Sequence, residues 1–407
     1  MRERFDVAVI GGGAAGLVAA ISAARRGASA VVLERLPRPG MKLLATGGGR
    51  ANLLNENLLP AAFTSTDPGL VASVLGRFGK GEIRSFFAGL GLRMQVEADG
   101  RIYPVTSQAS SVLKVLELEV GRLGVPVRTG FTAASVAPVP GGFSIAAEEG
   151  PKLEAVAVVL AGGGKSYPAL GSNGSCYVLA GRFGHRVVAP VPSAVPLLVK
   201  DRICHLLQGQ KVKVRAQGVV EGREGPAVEG ELLFTQYGLS GTAALDVSEA
   251  LSIALNRDGR KDVSLVVDFV PFLSQPELAA ELTRRMVEGW AARDLGTGLL
   301  PDRFGAVLPQ ALSDQAAARQ VAAEAKAGRL AAALKTWRFA VHGTRGWNEA
   351  EFTSGGVDAR EVKHRTLESK LRTGLYFAGE VLDVQGGRGG YNLAWAWSSG
   401  YVAGLTE

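Results

Sequence analysis

Two cysteines and four histidines in 407 residues leave little reactive side-chain chemistry to work with. Cys176 and Cys204 cannot form a disulfide framework, and the scattered histidines give no metal-ligand spacing, so no metal is expected. No apolar run reaches the ~18 residues that cross a bilayer, and a strand-like run begins within a few residues of Met1, leaving no room for a signal peptide. The expectation is a cytoplasmic protein with no membrane partner. Aromatic residues make up only 7% of the chain and lysines and arginines never gather into a run. Despite a formal net charge of +7, a nucleic-acid partner is therefore not expected. No Ser-His-Asp arrangement and no pair of catalytic carboxylates stands out, so no catalytic residue is named.

What the chain has is glycine, 54 of them. The stretch "FDVAVIGGGAAGLVAAISAARRGASAVVLE", residues 5 to 34, reads as a buried strand (Val7 to Ile10), a tight turn, an alanine-rich helix (Leu17 to Arg26) and a second strand (Ala30 to Leu33). Gly11, Gly13 and Gly16 stand at G-x-G-x-x-G spacing. The first permits the sharp turn, the second lets a pyrophosphate approach the backbone, and the third lets helix and strand pack closely. Ala14 and Ala15 open the helix, whose positive end attracts phosphate. Glu34 ends the second strand, with Arg35 after it, where a carboxylate accepts from ribose hydroxyls and repels a 2′-phosphate. That leaves FAD or NAD.

Residues 1 to 190 alternate strand-like and helix-like stretches: an amphipathic segment from Val71 to Leu90, a helix from Ser110 to Leu123, a strand from Val125 to Arg128 and a hairpin at Gly141 and Gly142. "AVAVVLAGGG" reads as a buried strand ending in a glycine turn, which adds Ala161 and Gly162 to the cofactor-binding candidates. Residues 190 to 270 suggest antiparallel strands and 275 to 335 suggest helices, the alanine-rich stretch 316 to 334 among them. The fold class is α/β: a Rossmann-like two-dinucleotide-binding domain (1–190 plus 352–407), an inserted antiparallel β-barrel-like part (191–274 plus about 336–351) and a helical insert (275–335).

Two further clusters decide between the cofactors. In "PGMKLLATGGGRANLLN", Lys42 and Arg50 bracket Gly47, Gly48 and Gly49, offering backbone N–H groups and positive charge to a diphosphate, while Asn52 and Asn55 suit ribose or flavin edge atoms. In "TGLYFAGEVLDVQGGRGGYNLAWAWSSGYVAG", a strand ends at Gly379 and Glu380, and a small-residue helix from Leu393 to Ala403 follows Gly390, Tyr391 and Asn392. Glu380 and Asp383 suit ribityl hydroxyls, and a helix start here stabilises negative charge at the N1–C2=O side of a reduced isoalloxazine. A nicotinamide needs neither, so the cofactor is FAD.

With "GGGKSYPALGSNGS" and "GELLFTQYGLSG", these motifs resemble the YhiN/BaiN-like flavoproteins, also called the aminoacetone oxidase family, from residue 5 to about 404. The resemblance implies noncovalent FAD and a three-part architecture. It matches Gly11, Gly13, Gly16, Glu34, Lys42, Gly48, Arg50 and Asn52 to the nucleotide end, Ala133 to an adenine backbone contact, and Asp383, Asn392 and Leu393 to the flavin end. Departures are Ala51 where the family carries Cys, Gln236 for His, Thr242 for Pro, and Ser175 and Cys176 for Asp and Gly. They take substrate identity out of what the resemblance implies.

Tyr167, Gln236 and Tyr237 are weak substrate candidates, with Tyr391, as polar or aromatic groups in glycine-rich turns. The lone His342 is left outside the site. No second complete fingerprint appears, so NAD(P)H is expected only as a transient co-substrate. The leading reading is an FAD-dependent oxidoreductase acting on a small organic molecule. The alternatives are a flavin-dependent RNA-modifying enzyme and a noncatalytic flavin-binding protein.

Overall fold

The computed structural model describes residues 3–148, 150, 152–309 and 322–407. The chain divides into two compact units, Met1–Pro190 with Phe352–Glu407, and Val191–Glu351.

In the first unit, β1 (Arg4–Ile10) leads into α1 (Ala14–Arg25) and back into β2 (Ala30–Leu33). The helix forms because alanines carry little side-chain entropy and no polar competitor, and it stops where Gly27 takes φ +86°. It is buried continuously from Ala15 to Ala23, which is why it shows no polar face. The segment from 71 to 90 is two helices, α2 (Pro68–Arg77) and α3 (Lys80–Gly89), rather than one. Asp67 caps α2 by accepting from the Gly69 and Leu70 amides, and the chain breaks at Phe78 and Gly79. Next come α4 (Ala109–Arg122), β3 (Val127–Arg128), the hairpin β4 (Ala133–Val139) and β5 (Gly142–Ala147), then β6 (Lys152–Leu160), β7 (Leu375–Phe377) and α5 (Tyr391–Gly404).

The sheet runs β3-β2-β1-β6-β5-β4. The β1, β2, β3, β6 and β7 pairings are parallel, while β5 lies antiparallel on the first half of β6 and β7 takes its last three residues. The chain leaves β1 toward β2 on one side, and β6 lies on the other. The crevice therefore opens beyond Ile10 and Leu160, where such folds bind their ligands. Helices α1 and α5 touch backbone to backbone. A Cβ at Gly400 would lie 2.3 Å from the Ala15 carbonyl oxygen, and one at Gly404 2.2 Å from that of Ala19.

The second unit contains a closed antiparallel barrel of six strands, in the order Leu197–Val199, Gly238–Ser240, Arg223–Thr235, Lys211–Val220, Val263–Asp268 and Trp337–Thr344. Along Lys211–Val220 the chain alternates, with Val212, Val214 and Ala216 inside and Lys211, Lys213 and Arg215 outside. The region is not all strand, however: Thr242–Ser252 is a helix, its Ala243, Ala244, Val247 and Leu251 buried at helical spacing. Helices Gln275–Val287 and Ala323–Lys335 share one core with the barrel, where Leu278, Leu282, Leu330 and Leu334 join Phe234, Phe269, Phe304 and Phe339. Between them lie short 3-10 turns at Ala292–Asp294 and Asp302–Ala306, and residues 316 to 321 of the alanine-rich stretch lie outside the described residues.

Candidate functional site

The three fingerprint glycines do different work. Gly11, at φ +109°, sits at the crevice floor, where a Cβ would lie 2.5 Å from the Ala161 carbonyl oxygen and 2.8 Å from the Gly162 Cα. A Cβ at Gly16 would lie 1.8 Å from the Gly11 carbonyl oxygen. Both are glycine because backbone passes there. Gly13, the N-cap of α1, faces open space, and no side chain caps the helix. The first-turn amides of α1 thus have no side-chain cap, beside a glycine with open space where a Cβ would stand, as an anion site requires.

Glu34 directly follows β2, and its carboxylate is already engaged. It is only 7% exposed, and its oxygens accept from the Gly12 amide (2.7 Å) and the Leu36 amide (2.8 Å). It shapes the glycine turn. Arg35 donates to the Gly171 and Pro168 carbonyls at 3.1 and 2.6 Å, tying down the turn that carries Tyr167, itself at φ +53°. Ala133 begins β4, opposite Ala147.

The second cluster differs from the sequence expectation. Lys42 donates to Glu380 Oε2 and Ser166 Oγ, each at 2.6 Å. Arg50 pairs with Glu97 and lies over the Tyr103 ring, 4.0 Å from its centroid. Both cations expected at the diphosphate thus hold carboxylate partners, which leaves backbone as the free donor. Gly47 and Gly48 take left-handed φ of 58° and 64°, and a Cβ at Gly48 would meet nothing.

Glu380 is the hub of that network. Its other oxygen accepts from the Thr353 amide (2.8 Å) and Ser166 Oγ (3.3 Å), and Oε2 also accepts from the Gly164 amide (3.3 Å). It ties three segments far apart in sequence. Gly379, at φ +76°, donates to Ser399 Oγ (2.8 Å) and accepts from Trp395 Nε1 (3.1 Å), which holds the end of β7 against α5. Sequence reasoning did not single out Ser166, Thr353, Trp395 or Ser399, and no local signal marks them, because their partners are distant in the chain.

At the start of α5, Gly390 (φ +101°) caps without a side chain. Asn392 closes its own loop, accepting from the Gly386 amide (2.9 Å) and donating to the Gly386 carbonyl (2.7 Å). Tyr391 packs edge-on against Phe63 with centroids 6.1 Å apart, burial raises its phenol pKa, and Leu393 is partly buried beside it. Asp383 donates its amide to the Val357 carbonyl at 2.9 Å. Asn52 also stands here: a Cβ at Gly390 would lie 2.8 Å from its Oδ1. Glycine packing sets the spacing. Gly400 touches Ala15, and Tyr391 precedes it by nine residues, so the two helix starts lie about 14 Å apart at 1.5 Å per residue.

Gln236 and Tyr237 belong to the second unit, at the turn into Gly238–Ser240. Gln236 is exposed and the Tyr237 ring is covered by Arg345, 4.7 Å from its centroid. Cys176 is buried beneath Gly162, and burial pushes its thiol up to about 12; Cys204 is likewise buried and raised to about 12. Neither is a thiolate at neutral pH. His342, in the second unit, titrates below its ordinary value through partial burial and the neighbouring Lys200. Among the described residues no group of His, Cys, Asp and Glu could hold a metal ion, and no helix is long and apolar enough to cross a membrane.

A mixed sheet with its glycine turn at the switch point, a closed barrel and a second glycine-capped helix together define a Rossmann-type FAD-binding fold. The HI0933-like protein Rossmann domain matches residues 5–406, so the chain belongs to the HI0933-like family, one of flavoenzyme oxidoreductases. The chain is 37% identical over 408 residues to the 3-dehydro-bile acid delta(4,6)-reductase of Clostridium scindens, covering 98% of each. To the ribosomal RNA dihydrouridine synthase of Escherichia coli it is 32% identical, covering 98% of this chain and 97% of that protein. Among solved structures, 3-ketosteroid delta1-dehydrogenase from Sterolibacterium denitrificans shares the fold, with a TM-score of 0.51 at 14% identity and 99% of each chain covered.

Proposed function

We propose that the protein binds FAD noncovalently and transfers hydride to or from a carbon–carbon double bond conjugated to a carbonyl in a small organic molecule, with NAD(P)H as the external reductant. The observation that carries this reading is the pair of glycine-capped helix starts, α1 facing open space at Gly13 and α5 beginning at Gly390. The first suits a pyrophosphate and the second the electron-rich edge of a flavin. Bound FAD supplies a two-electron hydride carrier.

The chain's own residues bind and orient. The α1 amides and the Gly48 turn receive phosphate, Glu34 fixes the turn and stands at the ribose end, and the Lys42–Glu380–Ser166 network holds the crevice rim. The two relatives named above have one chemistry in common, reduction of a double bond activated by a carbonyl. Hydride adds at the carbon remote from the carbonyl and a proton at the carbon beside it. The small-molecule class is favoured by the bile acid reductase, the more similar of the two relatives.

A second reading, reduction of a uracil ring in RNA, is favoured by the E. coli relative and by where the charge falls. Val191–Glu351 has 19 lysines and arginines against 19 aspartates and glutamates, so the whole excess of +7 belongs to the first unit.

The test is anaerobic. The purified protein should show oxidised-flavin absorption, bleach with NADH or NADPH, and be reoxidised by a 3-oxo-4-ene steroid. Reoxidation by uracil-containing RNA alone would favour the second reading, and a colourless protein that FAD cannot reconstitute would refute both.

A further inference from the structure

We infer that His185, Ser369 and Glu361 form an acid-released latch on the outer edge of β7, through which a fall in pH loosens the crevice. The latch stands on its own geometry, and its effect on the cofactor rests on the FAD reading.

β7 is three residues long. One edge pairs with β6, and the other is held by residues 367–369: the Ser369 amide donates to the Leu375 carbonyl at 2.7 Å and the Phe377 amide to the Leu367 carbonyl at 3.0 Å. That strip is fastened to the rest of the first unit through His185, which follows helix Ser175–Gly181. The His185 side chain has no exposed surface. Its Nε2 lies 2.7 Å from Ser369 Oγ and its Nδ1 3.1 Å from Glu361 Oε2, and its ring meets Phe377 edge-on with centroids 4.8 Å apart. β7 in turn runs directly into Gly379 and Glu380.

A serine, a histidine and a carboxylate in a row suggest a nucleophile, but this serine is only 2% exposed and its hydroxyl is fully engaged. Ser369 Oγ accepts from the Leu371 amide (3.0 Å) and the Arg372 amide (2.9 Å), which fills both lone pairs. Its proton therefore goes to His185 Nε2, and the imidazole carries its own proton on Nδ1, donated to Glu361. The same Glu361 oxygen accepts from the Arg186 amide at 2.9 Å. A second proton, on Nε2, would set N–H against O–H with no acceptor between them. Burial opposes the charge as well and lowers the histidine below its ordinary 6.5, against the pull of Glu361. Glu361 is the charged group that acts on it. The other charged or titratable groups on the adjoining elements are turned elsewhere: Arg182 to the Ala134 carbonyl, Arg360 to Asp358, Glu368 to Lys363, Lys370 to the Arg360 carbonyl, Arg372 to the Phe143 ring and the Tyr376 hydroxyl to the Glu407 carbonyl. A lowered folded value gives stability that is complete above 6.5 and is lost as pH falls toward that lowered value. The latch is thus closed at neutral pH and opens in mild acid.

The test compares hydrogen exchange at about pH 7.5 and about pH 5.5, each corrected for the intrinsic rate, and reads the imidazole tautomer from nitrogen NMR shifts at the higher pH. Wild type should carry the His185 proton on Nδ1, and protection of peptides covering 367–377 should fall about tenfold at the lower pH while that of β1 and β2 holds. His185→Gln, which cannot titrate, should lose this pH dependence. Glu361→Gln, which keeps an acceptor but not the charge, should move the loss to lower pH, and it carries the test if the first variant fails to fold. Flavin release from the holoprotein, read by fluorescence, should follow the same pH dependence in each protein. A proton on Nε2, unchanged protection at the lower pH, an equal loss throughout the sheet, or the wild-type pH dependence in His185→Gln each overturns the latch. Flavin retained alike at both pH values overturns its coupling to the crevice. The expected exchange in a protein that holds no flavin would uphold the latch and remove the FAD reading.

Discussion

Residues two positions apart in the same turn carry opposite consequences. Gly11 has backbone within 2.5 Å of where a Cβ would stand and a φ of +109°, whereas Gly13 has open space. Gly11→Val should therefore destabilise the apoprotein by about 2–4 kcal/mol, read as a lowered urea midpoint. Gly13→Val should melt like wild type and yet retain no flavin through a desalting column. Full occupancy in that variant would remove the pyrophosphate from this turn. Glu34→Ala should lower apoprotein stability by about 1–3 kcal/mol, because the Gly12 and Leu36 amides lose their acceptor. Glu119 gives a pH signature. Hydrogen bonds from Arg122 and then Arg25 hold its carboxyl down to about 2. A lowered folded value gives stability that is present above the ordinary value of 4.5 and is lost as pH falls through about 2. Arg122 is two-thirds exposed, so screening limits the contribution to about 1–2 kcal/mol. Glu119→Gln should be less stable than wild type by that margin at pH 7, with the difference vanishing near pH 2.

At the scale of elements, the packing of α1 on α5 positions both ends of the proposed cofactor. Gly400 and Gly404, one helical turn apart, let α5 rest on the α1 backbone. Helix propensity alone makes Gly400→Ala stabilising by about 1 kcal/mol. The 2.3 Å approach to the Ala15 carbonyl reverses the sign, and the variant should lose about 1–3 kcal/mol. Flavin affinity should fall with it, since separating the helices moves Gly379 and the α5 start away from α1. A stabilised Gly400→Ala with normal flavin content would show that the close approach positions nothing. The Lys42–Glu380 pair is likewise a matter between elements. Each residue reads as a ligand contact in its own motif, and only the fold makes them partners 2.6 Å apart.

At the scale of the whole molecule, all cofactor candidates lie in the first unit, which has its own core and the entire formal charge excess. Strands Val187–Ser193 and Phe352–Val357 pair with each other, so the chain leaves and re-enters this unit at neighbouring points. A protein with residues 191–351 replaced by a short linker should fold and take up FAD, as checked by a cooperative melt and flavin absorption. Failure to bind FAD while folded would mean that the second unit contributes to the cofactor site.

The sequence alone determined the opening strand-turn-helix-strand, the final helix and the barrel strands, because glycine spacing and apolar periodicity act within a few residues. It also placed Glu34 at the end of β2 and Gly390 before the last helix. What lay beyond it were partnerships set by the fold: which carboxylate Lys42 meets, and whether Asn392 turns inward or onto its own loop. Helix Thr242–Ser252 was hidden among strand signals because its alanines and small polar residues carry weak periodicity until the barrel wall buries one face. Local chemistry fixes what a segment can become. Only tertiary packing decides which of its polar groups find partners inside the chain, and so which are left to bind something else.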